Sequence, residues 1–184
     1  MENIQNAMGK FLDPSAIITQ LDVNAGSVVI DFGCGPGYFS IPFAKIVGDD
    51  GCVYALDILP QAIETVIGKA KNLGITNIVA ARANLEKENG TKLESGIADW
   101  VVLKDILFQN QKKDIIIAEV HRVLKNGGKA IVVEWNQEES VVGPAKEIRV
   151  NQIDLEKMFS DQGFIIEKNI EAGHFHYGFV AVRN

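Results

Sequence analysis

The amino-acid sequence predicts a three-layer α/β protein built on a mostly parallel, seven-stranded sheet with an antiparallel terminal strand. Three observations carry the prediction. Apolar runs of strand length alternate with helical runs along most of the chain. The first of these strands opens directly into the loop Gly33-Cys34-Gly35-Pro36-Gly37, and the last two are separated by too few residues for a parallel crossover.

Asp13 followed by Pro14 reads as the N-cap and first residue of a short helix over Ser15 to Leu21, because proline lacks an amide that would be unpaired there in any case. Val28 to Phe32 is apolar enough for a buried strand. After the glycines a helix runs from about Phe39 to Val47, with Pro42 tolerated only near its first turn. A second strand, Cys52 to Asp57, leads through Pro60 into a helix reaching about Leu73. Ile78 to Ala83 is the third strand and Ala98 to Leu103 the fourth; a helix between about Gln111 and Leu124 then precedes a fifth, Gly128 to Trp135. Asn126-Gly127-Gly128 is expected to end that helix and turn the chain, since glycine accepts positive φ. Asn151 can cap a further helix ending near Gln162 and Gly163. Ile165 to Glu171 and Phe175 to Arg183 lie close together around Gly173, so they form an antiparallel hairpin.

With 184 residues, 47% hydrophobic and 23% charged, and no Pro/Gly/Ser-rich linker, residues 1–184 read as one domain in which 1–24 form an N-terminal lid and helix. The net charge of −6 disfavours an extended nucleic-acid interface, because neutralising phosphates requires an excess of basic side chains. Cys34 and Cys52 make no disulfide framework, and the N-terminal stretch lacks the apolar centre of a signal peptide. No apolar run approaches the length of a membrane span, so a cytoplasmic protein is expected.

The first strand delivers Asp31, and Gly33, Gly35 and Gly37 fall on alternate positions of the loop behind it, where missing Cβ atoms let a ligand approach the backbone. The dinucleotide pattern G-x-G-x-x-G would need glycine where Tyr38 stands, and no phosphate loop with its lysine is present. A ligand with adenosine but no pyrophosphate fits better. Asp57, at the end of the second strand, can accept from both ribose hydroxyls; a strand-end turn or cap is its alternative role.

Taken together these segments resemble the class I S-adenosylmethionine-dependent methyltransferases, among them the small-molecule enzymes of the ubiquinone/menaquinone-biosynthesis type. VVIDFGCGPGYFSIPFA is similar to the family's first motif and YALDIL to its acidic second motif. ADWVVLKDILFQ resembles its fourth strand and loop, and EVHRVLKNGGKAIVVEW its helix, turn and fifth strand. The resemblance implies a Rossmann-like fold with strand order 3-2-1-4-5-7-6, S-adenosylmethionine as cofactor and S-adenosylhomocysteine as product. By the same resemblance Asp31 orders the methionine ammonium, Gly33, Gly35 and Gly37 pack under the ligand, and Asp57 takes the ribose hydroxyls. Asn84 stands where the family often has an Asp for the adenine amino group, and its amide oxygen accepts the same bond. Ile58 and Leu85 would wall the purine, and Leu103 and Lys104 border the methionine portion. Where relatives carry one or two histidines after the fourth strand this chain reads DILFQN, so no histidine role carries over and the catalytic residue is unassigned.

The implied reaction is methyl transfer to a small-molecule acceptor by direct displacement, aided mainly by positioning. A hydroxyl acceptor would also call for a general base. Candidates for the substrate pocket are Glu134 and Trp135 at the end of the fifth strand, Phe11, Tyr38 and Phe108 as apolar contacts, and His174 and His176, which would share a face of an extended strand. The histidine pair is half of a metal site without a compact third and fourth ligand, so no metal is expected. The alternatives are a noncatalytic adenosyl-ligand sensor or partner-binding module and, more distantly, an NAD-dependent oxidoreductase, which Tyr38 disfavours.

Overall fold

The computed structural model describes residues 12–184. Helix α1 (Pro14–Ile18) begins where the sequence places it, with Asp13 accepting from the Ser15 amide at 2.9 Å. It ends earlier than Leu21, because Gln20 and Leu21 bond three residues back and tighten the chain into a turn. There follow β1 (Val28–Phe32), α2 (Ser40–Val47), β2 (Cys52–Asp57), α3 (Pro60–Asn72), β3 (Ile78–Arg82), β4 (Ala98–Lys104), α4 (Lys113–Val123), β5 (Leu124–Trp135), α5 (Gln152–Asp161), β6 (Phe164–Ile170) and β7 (His176–Arg183). Asn151 caps α5 by accepting from the Ile153 amide at 2.9 Å.

The seven strands form one sheet in the order β3-β2-β1-β4-β5-β7-β6, parallel from β3 to β5, with β7 antiparallel to both its neighbours. The expected turn at Asn126-Gly127-Gly128 is instead an interruption inside β5. Pairing passes from Ala98–Leu124 directly to Trp100–Lys129, so the residues between leave the ladder, with Gly127 at φ 75°.

Strand alternation sorts the core onto two faces. Ile30, Phe32, Val101, Leu103, Ala130 and Val132 point toward α4 and α5, whose Ile116, Val120, Leu155 and Phe159 cover them. Val29, Val53, Trp100, Val102, Ile131 and Val133 point the other way, beneath Ile17 of α1 and Phe43 and Val47 of α2. The central strands are apolar on both faces for this reason. The chain winds outward from β1 in both directions, which leaves a crevice at the carboxyl ends of β1 and β4. Among the described residues no helix is long and apolar enough to cross a membrane.

Candidate active site

The loop after β1 is tied to the end of β2. The Gly33 and Cys34 amides both donate to the Leu56 carbonyl, at 2.7 and 2.9 Å, and the Gly35 amide donates to Asp57 Oδ2 at 2.9 Å. Asp57 Oδ1 accepts from the Leu59 amide, also at 2.9 Å. Both oxygens of Asp57 thus cap backbone amides while keeping lone pairs for a ligand. Gly33 and Gly35 have φ of 72° and 49°. A Cβ on Gly33 would lie 2.0 Å from Ile106 Cδ1, so only glycine lets the loop nest against the segment after β4; at Gly35 the corresponding space is open.

A cavity of about 430 Å³ opens at this point. Eight of the ten residues expected around the cofactor line it: Asp31, Gly33, Gly35, Asp57, Ile58, Asn84, Leu85 and Lys104. The other two lie behind the wall. Gly37, at φ 84°, packs toward Val66, and the Leu103 side chain is fully buried in the core. The Asn84 oxygen accepts from the Glu86 amide at 3.1 Å, which shapes the turn and leaves that oxygen one lone pair.

Asp31 is buried, with Oδ2 accepting from the Ser40 hydroxyl at 2.6 Å. Burial pushes its carboxyl up to about 6; the Ser40 hydrogen bonds oppose the rise and the Asp57 charge adds to it. A cationic ligand group beside Asp31 would favour its ionised form. Cys34 also lines the cavity, but burial and the nearby Asp31 and Asp57 charges push its thiol far up, so it is not a nucleophile at neutral pH.

The substrate-pocket candidates separate. Tyr38 lines the cavity and is 67% exposed, with Lys69 Nζ 5.4 Å from its ring centre. Phe108 is half-buried outside the lining, and Phe11 lies outside the described residues. Glu134 is fully buried and points beneath the segment after β4, where Oε1 accepts from the Leu107 amide at 2.6 Å. Trp135 is packed: its ring centre is 4.3 Å from that of His176, and the Arg149 guanidinium sits 5.6 Å above it. The histidines do not share a strand face, because β7 starts only at His176. His174 is exposed in the bend before it, while His176 is buried with Nε2 3.3 Å from Asp105 Oδ1. Among the described residues no cluster of three or more potential metal ligands forms.

Glu86, Asp105, Gln109 and Asn110 complete the polar lining and were not singled out from the sequence. Glu86, two residues beyond Asn84 in the same turn, and Asp105, directly after the fourth strand, carried a positional signal; Gln109 and Asn110 carried none. Asp105 takes φ 57° and pairs with Lys104, which turns its carboxylate along the cavity wall toward His176.

The sheet order, the glycine loop and the acidic end of β2 define a Rossmann-like α/β protein with a nucleoside-sized cavity at the carboxyl ends of its strands. The chain belongs to the methyltransferase-domain family, whose profile matches residues 23–173. It is 34% identical over 116 residues to the ubiquinone/menaquinone biosynthesis C-methyltransferase UbiE of Haemophilus ducreyi, a match covering 62% of this chain and 44% of that one. It is 26% identical over 118 residues to the demethylmenaquinone methyltransferase of Oceanobacillus iheyensis, covering 64% and 48%. The chain therefore spans less than half the length of these curated relatives. Among solved structures, a SAM dependent methyltransferase from Aquifex aeolicus superposes with a TM-score of 0.86 at 22% identity, over 95% of this chain and 92% of that one.

Proposed function

We propose that the chain transfers a methyl group from S-adenosylmethionine to a small-molecule acceptor, leaving S-adenosylhomocysteine. One observation carries this reading: a single cavity, within the usual size of small-ligand sites, is lined by the glycine loop, the acidic end of β2, the turn after β3 and the end of β4. The bound cofactor supplies a methyl group already activated by its positive sulfonium. The chain's part is to bind and align. Asp57 takes the ribose hydroxyls, Asn84 the adenine amino group, Ile58 and Leu85 flank the purine, and Asp31 meets the ammonium while Lys104 borders the methionine end. The acceptor approaches from the cavity mouth beside Tyr38, where orientation rather than chemical activation sets the rate.

Calorimetry with S-adenosylmethionine, S-adenosylhomocysteine and NAD tests the cofactor, with binding expected for the first two alone. Selective NAD binding would replace the reading with a redox one. Incubation of the protein with methyl-labelled cofactor and a diverse metabolite mixture is expected to place the label in a product and thereby to name the acceptor.

A further inference from the structure

Glu134 was a candidate for the substrate pocket, yet its carboxyl lies behind the wall that faces the ligand cavity. That wall is the segment 105–110 after β4, which contributes Asp105, Ile106, Gln109 and Asn110 to the lining. Much of its hydrogen bonding is internal: the Gln109 and Asn110 side chains donate to the Asp105 and Ile106 carbonyls, both at 2.7 Å. The Asp105 amide holds its start by donating to the Val133 carbonyl at 2.9 Å. Its centre is held by Glu134. Oε1 accepts from the Leu107 amide at 2.6 Å, and the neighbouring Ile106 and Phe108 amides also favour the charged carboxylate. Oε2 is buried without a hydrogen-bond partner.

We propose that Glu134 is a positioning residue for the cofactor: its carboxyl holds segment 105–110 in place as the cavity wall, and ligand binding is thereby linked to the uptake of a proton by that carboxyl. The inference rests on the function proposed above. A fully buried carboxyl with one unpartnered oxygen is costly as an anion, whereas a proton on that oxygen removes the charge. When the wall loosens and water reaches Glu134, the group returns toward its ordinary range and ionises.

Burial pushes the Glu134 carboxyl up to about 8; the three amides oppose the rise and the Asp105 charge adds to it. The groups around it are Asp105 and its partner Lys104 from the end of β4, and Tyr177 and His176 from β7, which stand opposite Glu134 and Trp135 in the ladder. The closed wall therefore binds a proton that the loosened wall releases between the ordinary carboxyl range and about 8. Rising pH favours the loosened wall across that window and weakens the ligand.

Asp31 would act in the opposite sense on a ligand carrying an ammonium, so the probe is 5′-methylthioadenosine, which has adenine, ribose and thioether but no amino-acid group. Its affinity is measured calorimetrically at pH 6, 7 and 8 for the full chain and for Glu134→Gln, whose amide keeps the acceptor oxygen and does not ionise. The expected result is a fall of about fivefold or more from pH 6 to 8 in the wild type, within the limit of about tenfold per pH unit that one proton sets, and a flat profile in the variant. Parallel profiles in the two proteins overturn the proposal. In the wild type alone, the Leu107 amide NMR signal is expected to titrate between pH 6 and 9, a readout that survives if the variant fails to fold; an invariant signal overturns the proposal equally. If neither this nucleoside nor S-adenosylhomocysteine binds at any pH, the proposed function itself falls, and this inference with it.

Discussion

Asp57 fastens the backbone at the point where the proposed ribose contact falls. Its oxygens fasten the Gly35 and Leu59 amides, so the carboxylate is already oriented before a ribose arrives. Asp57→Ala is expected to weaken S-adenosylhomocysteine roughly 10–150-fold, the equivalent of losing about 1.5–3 kcal/mol of charge-assisted hydrogen bonding. Adenine alone should lose much less. Calorimetry with both ligands decides between roles, because equal losses would place the whole effect in loop fastening. Trp135 yields the contrary expectation. Packed between His176 and Arg149, it should cost about 2–4 kcal/mol of stability on replacement by Leu while cofactor affinity stays within about twofold. Chemical denaturation and calorimetry on the same variant would show this, and a selective rise in acceptor KM with unchanged stability would restore the substrate-stacking role.

At the scale of elements, one side chain gathers much of the stretch from 136 to 150, alongside hydrogen bonds made by Asn136, Gln137 and Tyr177. Arg149 is 7% exposed and its guanidinium donates to the carbonyls of Asn136, Glu138, Val142 and Pro144 at 2.9–3.2 Å, folding the stretch over Trp135. A lysine has no planar fork to span four carbonyls. Arg149→Lys is therefore expected to destabilise the protein by about 1–3 kcal/mol and to open this stretch to limited proteolysis before the sheet unfolds. Gly143 is fitted just as closely, since a Cβ there would lie 2.4 Å from Trp135 Cζ3 at a φ of 87°. None of this was legible beforehand. An arginine that gathers distant carbonyls leaves no periodic mark in a sequence.

For the whole molecule, buried carboxyls set the dependence of stability on pH. The Asp31 and Glu134 carboxyls are raised, to about 6 and about 8, by burial. Each contributes stability that is fully present below its unfolded value and is lost as pH rises through the folded one, a cost on the order of a few kcal/mol apiece. Glu119 has the opposite sign: burial pushes it up, but hydrogen bonds from Arg122 and Thr91 outweigh this and leave it below the ordinary range. Its contribution is present above the unfolded value and is lost as pH falls through the folded one. Urea denaturation from pH 4 to 9 should therefore show stability declining between about pH 5 and 8, and Glu134→Gln should flatten the upper part of that decline. A wild-type curve that rises steadily from pH 5 to 8 would contradict the assignment.

The sequence by itself determined the alternation of strands and helices and the antiparallel end of the sheet, while the full strand order followed from the family resemblance. Central strands apolar on both faces, glycines on alternate loop positions and an acid at the end of the next strand are local patterns, and each is enforced by backbone geometry within a few residues. In the structure Asp31, Gly33, Gly35 and Asp57, which carry those signals, line one cavity. Only the tertiary structure decided what the residues at the end of β5 and the start of β7 do. Glu134 and His176 lie opposite one another's neighbours across the β5–β7 ladder, more than forty residues apart in the chain; the first accepts from the Leu107 amide and the second lies against Asp105. Alternation along a strand fixes which face a side chain takes. Whether that face meets solvent, a ligand or another loop is set by chain packed from elsewhere, and that is why Glu134 and His176 meet the segment after β4 instead of lining the cavity.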